Sequence, residues 1–377
     1  MAIDSFWTES GRVDVFEFWT VAIADPSGPK VENITEYVQE ATLSFSDFTH
    51  NETGGSFKFT NRKKLFNNCY VRIIYKPYIP HLLDDGGKPK TKTVTIATMY
   101  AETSDAHYED GIWSGTTKLR SVMCRYTDDK LAKPFNIAKG ADLKKLFKYV
   151  MKGGKGGKQF GSGPYDYSAI ANRKSPSPKT IKFGEGVDEV VAELASGLNA
   201  TVSISPMGKI VLTKKLAYKD RPNQGTLPTG ENSVIKYGID KSYTGVAKTN
   251  RAVLKGSYTT KNSKKETVTK YVYSSYAPTG KSWTYDKCGR YITESYEKNW
   301  GGVTKSKAQA ANNKHVKTKV KTATTTKFEI NSMYMPIELG QVWTFEYEGI
   351  SKKVAVSHID MTFKETLKMK TALRVVG

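Results

Sequence analysis

Cysteine is scarce: three in 377 residues, at Cys69, Cys124 and Cys288. The count is odd, the spacing is wide and no CxxC pair occurs. This excludes a disulfide framework and a zinc site built from paired cysteines, and predicts free, buried thiols in a reducing compartment. Histidine is equally sparse. His50, His81, His107, His315 and His358 are scattered, with no HExxH and no two at metal-ligand spacing. No stretch approaches the ~20 consecutive apolar residues of a membrane-spanning helix, so no membrane-spanning segment is expected. The opening, MAIDSFWTESGRVDVFEFW, has no basic region followed by an apolar one, so a cleaved secretory signal is not expected. Without such a signal, the glycosylation sequons at Asn33, Asn51 and Asn199 read as chance matches.

Acidic residues are few, 37 against 58 Lys plus Arg, for a net charge of +21. Two segments hold most of the excess. Residues 241–327 carry 17 Lys and 2 Arg against 4 acids, and residues 144–182 carry 9 Lys and 1 Arg against 1 acid. The rest is close to neutral. Such segments attract polyanions: nucleic acid, an anionic cell-wall polymer or an acidic protein partner. They equally describe a solvated, Lys-rich surface kept for solubility. Lysine is a point charge, whereas bidentate base readout favours arginine, so any contact is non-specific.

Recognisable catalytic motifs are also missing. Tyr276–Ser282 (YAPTGKS) resembles the end of a P-loop, but Ser275 stands where the first glycine belongs and SWTYD is no helix. The glycine-rich run Gly153–Gly163 lacks GxGxxG order and reads as a mobile loop. Asp84-Asp85 and Asp128-Asp129 are turn neighbours, not carboxylates facing each other across a cleft. The acids around His107 (Asp105, Glu109, Asp110) read as a solvated turn, and His358 as a packing residue in a strand. There is no GxSxG and no Cys-His pair. No residue is a candidate for catalysis, cofactor binding or metal binding, and no cofactor is expected.

What is present is strand after strand. Apolar residues make up 38% of the chain, enough to build cores. At 377 residues the chain exceeds the ~250–300 at which single cores stop growing, so two or three domains are expected. The first third predicts strands over 13–23, 41–48, 56–59, 69–75, 91–100 and 113–124. In the middle, Leu143, Leu146, Phe147 and Val150 share one helical face. A short strand over 181–183 then leads to a helix with Val187, Val190, Val191, Leu194 and Leu198 on one face. Gly197 and Asn199 suit its end, and strands 200–204 and 209–213 flank a Ser-Pro-Met-Gly turn. The last third returns to strands over 252–258, 266–273, 290–295, 326–330, 341–347, 352–360 and 366–376, with a short helix over 306–316. Aromatics (22 Tyr, 15 Phe, 6 Trp) suit β cores and protein interfaces, and a carbohydrate platform is a further use.

The order of parts resembles the baseplate hub and tail-tip proteins that cap the tail tube of long-tailed bacteriophages. Three passages carry the likeness. FGEGVDEVVAELASGLNATVSISPMGKIVLTKK resembles their recurrent helix-hairpin unit. The 306–316 helix, the 326–330 strand and Pro336-Ile-Glu-Leu-Gly340-Gln-Val-Trp resemble the entry into a second barrel, with Gln341 where hubs usually carry Asp. Residues 347–359 with 366–376 resemble that barrel's final hairpin, and LSFSDFTHNETGGSFKFTN followed by VRIIY fits the first barrel.

The resemblance implies a mainly β protein with a small α/β insert: two β-barrel tube-type domains flanking a helix-hairpin module. The expected division is 1–135, first barrel; 136–232, α/β insert with a mobile basic loop; and 233–377, second barrel with a basic extension. It also implies a structural virion protein, not an enzyme, located at the tail tip and synthesised in the host cytoplasm. Such a hub is a homotrimer, whose two barrels per chain make six units to match a hexameric tube. Implied partners are tail-tube and distal-tail proteins, fibre or spike proteins and the tape-measure protein, with transient DNA contact. Wall cutting or receptor binding would belong to other proteins. Two alternatives stay open: a non-specific polyanion-binding (nucleic-acid-binding) β-rich protein using 241–327, and a carbohydrate-binding or carbohydrate-cutting tail component.

Overall fold

The computed structural model describes residues 3–9, 11–46, 54–61, 66, 69–227, 239–242, 250–263, 266–280, 284–320, 327–347 and 350–376. The fold is mainly β. The chain divides into two compact units, residues 1–240 with 329–377, and residues 241–328.

A thirteen-stranded sheet dominates the first unit. Strands from both ends of the chain meet in it. Val38–Ser46 lies antiparallel to Ile350–Phe363, setting Leu43 opposite Met361 and Ala41 opposite Phe363. On one side of this junction the order continues through Gly54–Asn61, Ile112–Arg120, Val94–Glu109, Cys69–Tyr75, Phe16–Val21 and Lys30–Asn33. On the other it continues through Leu367–Val375 and Lys327–Ser332. No closed barrel is found among the described residues.

Alternation explains why these strands stack as they do. Leu367, Met369, Thr371 and Leu373 are all buried, and they face Phe363, Met361, Ile359 and Val356 across the ladder. Strand limits differ from the sequence expectation mainly at polar ends. The strand expected over 91–100 runs as Val94–Glu109 and turns back into Ile112–Arg120. Asp110 and Gly111 both have positive φ (50° and 78°), the pairing that a tight hairpin turn requires. The apolar pattern ends at Ala101, because the outer half of this hairpin faces solvent.

A buried polar knot joins the early and late strands. The Arg12 side chain donates from Nη1 to Trp7 O (3.1 Å) and from Nη2 to Tyr334 O (3.0 Å). Asp14 lies 3.8 Å from Arg12 Nε. It also accepts from the Tyr75 hydroxyl and from Leu367 N (2.8 Å).

The α/β part packs two helices on a hairpin. Leu143–Met151 starts at Asp142, whose Oδ1 accepts from Lys145 N at 2.8 Å, a normal N-cap. Phe147 and Val150 from this helix join Val187, Val190, Val191 and Leu194 of the Val187–Gly197 helix and Leu212 of the hairpin. The hairpin pairs Ala200–Ile204 with Ile210–Lys214. Asn199 takes the left-handed conformation (φ 54°) that ends the helix. Gly197 is required by the close helix approach: a Cβ there would meet Leu143 Cδ1 at 2.7 Å. The short strand forms as Lys179–Ile181, paired with Phe135–Ile137, and leaves Phe183 exposed.

The run Gly153–Gly163, read from sequence as a mobile loop, has a defined hydrogen-bonded course. Gly153, Gly154, Gly156 and Gly157 all have positive φ and fold the chain back. Gln159 N and Phe160 N then both donate to Gly153 O, and Phe160 enters the core. Glycine here serves tight turns.

The second unit is a three-stranded sheet covered by one helix. Arg251–Lys261 is central, antiparallel to Thr267–Tyr276 and parallel to Thr293–Asn299. The Lys305–Lys319 helix buries Ala308, Asn312 and Val316 against it. Among the described residues, no helix is long and apolar enough to cross a membrane.

Candidate interaction surface

Chemistry-bearing residues singled out from the sequence do not converge on a reaction centre. Among the described residues no group of three His, Cys, Asp or Glu could hold a metal ion. His81 lies 3.5 Å from Glu9, and His107 lies 3.5 Å from Glu109 on the exposed hairpin. His50 lies outside the described residues. Asp84 Oδ1 accepts from Gly86 N and Lys88 N within its own turn. Asp128 binds both terminal nitrogens of Arg120 (2.6 and 2.7 Å), which hold its carboxyl below the usual aspartate range. Asp129 Oδ2 accepts from Gly161 N at 2.8 Å. Cys124 is buried, and desolvation pushes its thiol up to about 11, away from thiolate reactivity. Cys69 is half-buried, and the Cys288 side chain lies outside the described residues.

Ser44, His358 and Asp360 do come together, a juxtaposition the sequence could not show. His358 Nε2 lies 3.2 Å from Ser44 Oγ and 2.9 Å from Asp360 Oδ1. A hydrolytic relay needs the nucleophile and the orienting acid on different ring nitrogens of the histidine base. Here both contacts use one nitrogen, so the cluster is a cross-strand polar contact. At the P-loop look-alike, Gly280 N donates to Asp286 Oδ2 at 3.0 Å. A carboxylate on that amide is the reverse of a phosphate cradle. Lys281 and Ser282 lie outside the described residues.

The remaining surface of note is cationic. The Lys305–Lys319 helix carries Lys305, Lys307, Lys314, Lys317 and Lys319 and no acid. Its inner side is held by one polar residue. Asn312, fully buried, donates from Nδ2 to Val272 O (3.0 Å) and accepts the Trp300 indole N–H at Oδ1 (2.6 Å). Gly256 makes room: a Cβ there would stand 2.2 Å from Asn312 Oδ1. Several lysines lie over aromatic rings, Lys319 over Tyr296 (5.1 Å) and Lys317 over Tyr276 (5.9 Å), which steadies the ammonium groups without neutralising them. Burial first, then Lys319 and Lys298, lower the pKa of His315 and favour its neutral form. The opposite sheet face shows Tyr271 and Tyr273 to solvent beside the Lys255–Glu297 pair (3.4 Å). In the first unit, the outer side of Leu143–Met151 adds Lys145 and Lys148, with Lys152, Lys155 and Lys158 following along the glycine turns. Among the described residues these surfaces offer charge and contact area, and no nucleophile with an activating base.

No protein-family model matches this chain, and no curated protein matches it in sequence. Solved structures do match. A tail protein from Neisseria meningitidis MC58 shares 10% identity over 97% of this chain and 96% of that one, with a TM-score of 0.58. The 43 kDa tail protein of prophage MuSo2 from Shewanella oneidensis shares 12% identity over 95% and 97%, with a TM-score of 0.57. The Francisella PdpA–VgrG complex matches 97% of this chain and 58% of that one at 9% identity, with a TM-score of 0.52. The chain therefore has the fold of phage tail proteins, as the sequence resemblance implies.

Proposed function

We propose that this chain is a structural component of the virion tail: a baseplate hub or tail-tip protein that caps the tail tube and joins it to distal tail components. The observation that carries the proposal is the end-to-end match. Two tail proteins are covered over 96% and 97% of their own length by nearly all of this chain, so the likeness extends beyond a shared module. The match to a chain from a PdpA–VgrG complex supports a fold that works in assemblies.

Within this reading the parts are those of a hub. Residues 1–135 and 233–377 are the two tube-type parts flanking the 136–232 insert, with strands of both in one sheet rather than in closed barrels, and three chains close a ring that presents six such parts to the tube. The partners are tail-tube, distal-tail, fibre or spike and tape-measure proteins. The role is scaffolding, not catalysis. The experiment is solution mass by light scattering in high salt, followed by capture of tail-tube and distal-tail proteins. A mass three times 42.0 kDa and capture of either partner are expected. A chain that captures neither overturns the proposal.

The acid-free Lys305–Lys319 helix favours one second reading, non-specific polyanion binding. It predicts DNA affinity that falls steeply with salt; no DNA signal at low salt removes it.

A further inference from the structure

The open face of the second unit's sheet carries a groove whose chemistry differs from that of the cationic helix. Strand alternation sorts the side chains. Ala252, Leu254, Tyr258 and Val272 are buried on the helix side. Val253, Lys255, Tyr273 and their ladder partners therefore point the other way. Register builds two rows across the three strands. Ser275, Val253 and Ser295 stand opposite one another, and so do Tyr273, Lys255 and Glu297. The first row is short and forms a floor. The second is long and forms a wall. The result is an open groove of about 470 Å3, lined by these six residues and those between them. That volume falls within the ~300–1,000 Å3 of small-molecule sites.

The lining is chemically mixed. Tyr273 is 67% exposed, and its ring is left uncovered because Lys255 Nζ lies over Tyr271 instead (4.9 Å). Lys255 and Glu297 form an ion pair (3.4 Å), so the wall supplies donors and acceptors with no net charge. The serine hydroxyls of the floor both donate and accept. Val253 is the one aliphatic side chain among the six, too little apolar area for the core of a protein interface. A phosphodiester backbone brings acceptors only, and its charge would meet Glu297. A pyranose ring fits each part: a flat C–H face for the Tyr273 ring, and a rim of hydroxyls that donate and accept. Charge complementarity agrees. An uncharged glycan suits the balanced wall, whereas polyanions are drawn to the acid-free Lys305–Lys319 helix on the other side of the sheet. We propose that this groove is a saccharide-binding site that seats a pyranose of an uncharged glycan against Tyr273. The site goes beyond the scaffolding role and does not depend on it.

The test applies the full-length chain to an array of neutral oligosaccharides, acidic oligosaccharides and single-stranded oligonucleotides. Binding is read at low salt and at about 0.5 M NaCl, where exposed charges are screened. Neutral oligosaccharides are expected to bind and to stay bound in high salt. The strongest neutral binder is then titrated calorimetrically against variants. Tyr273→Ala should weaken binding about tenfold or more, and Tyr273→Phe, which keeps the ring, by no more than about twofold. Hydrogen exchange of the Arg251–Lys261 amides checks that the sheet is intact. Ser295→Leu fills the floor from the neighbouring strand, should also abolish binding, and decides the matter if Tyr273→Ala does not fold. No neutral oligosaccharide bound, or binding unchanged by Tyr273→Ala or by Ser295→Leu, overturns the proposal. So does a signal confined to acidic sugars or oligonucleotides that vanishes in high salt, which assigns the binding to the surface lysines.

Discussion

Asn312 is the keystone of the second unit, and its removal makes a quantitative prediction. The residue is fully buried at the centre of a basic helix and bonds both the sheet (Val272 O, 3.0 Å) and the Trp300 indole (2.6 Å). Asn312→Ala breaks these two hydrogen bonds, each worth about 1 kcal/mol net, and a long one from Nδ2 to Leu254 O (3.5 Å). It also leaves a small void, which adds about 1 kcal/mol. The expected loss is about 2–4 kcal/mol, a large share of a small unit's stability. Gly256→Ala attacks the same point from the sheet. Its Cβ would overlap Asn312 Oδ1 at 2.2 Å, and such overpacking costs about 1–3 kcal/mol. The two changes must couple. Once Asn312 is truncated, the oxygen that collides with the new methyl is gone. The double variant should therefore be less destabilised than the sum by about 1–2 kcal/mol. Hydrogen exchange of the Arg251–Lys261 and Thr267–Tyr276 amides reads the second unit directly. Additivity within about 0.5 kcal/mol would refute the reasoning.

Further outcomes follow from the first unit. Asp14→Ala leaves the Arg12 charge buried beside an empty position and should cost about 3–5 kcal/mol; a urea midpoint unchanged from wild type contradicts the buried knot. Cys124, with its thiol pushed up to about 11 by burial, should resist iodoacetamide at pH 8 in the native chain and react after unfolding. Peptide mapping checks this, and rapid native labelling counts against it. Asp128 is held below its ordinary pKa by Arg120. Its contribution is therefore present above the unfolded value near pH ~4 and is lost as pH falls through the folded value. Asp128→Asn should flatten that acid limb of stability, measured by urea midpoints across the range; an unchanged limb contradicts the assignment.

Local elements were legible where burial is one-sided. Val187, Val190, Val191 and Leu194 mark the buried face of a helix because a single hydrophobic face is what a 3.6-residue period records. The same holds at period two for Leu367, Met369, Thr371 and Leu373. Polar and long-range features were harder to read. The end of the long strand, residues 105–109, is exposed on both faces, so alternation carries no signal there, and Asp110-Gly111 was the available clue. Asn312 looks like a solvated residue among lysines; the signal was the spacing Ala308, Asn312, Val316 on one side of the helix. Pairing of Val38–Ser46 with Ile350–Phe363 joins residues some 300 positions apart, which no local pattern encodes.

The central claim is location. Gold-labelled antibody against this chain, applied to purified tails and viewed by electron microscopy, tests it most directly. The account predicts label confined to the distal end of the tail tube. Label along the whole tube, or intact tails from which the chain is absent, would contradict it.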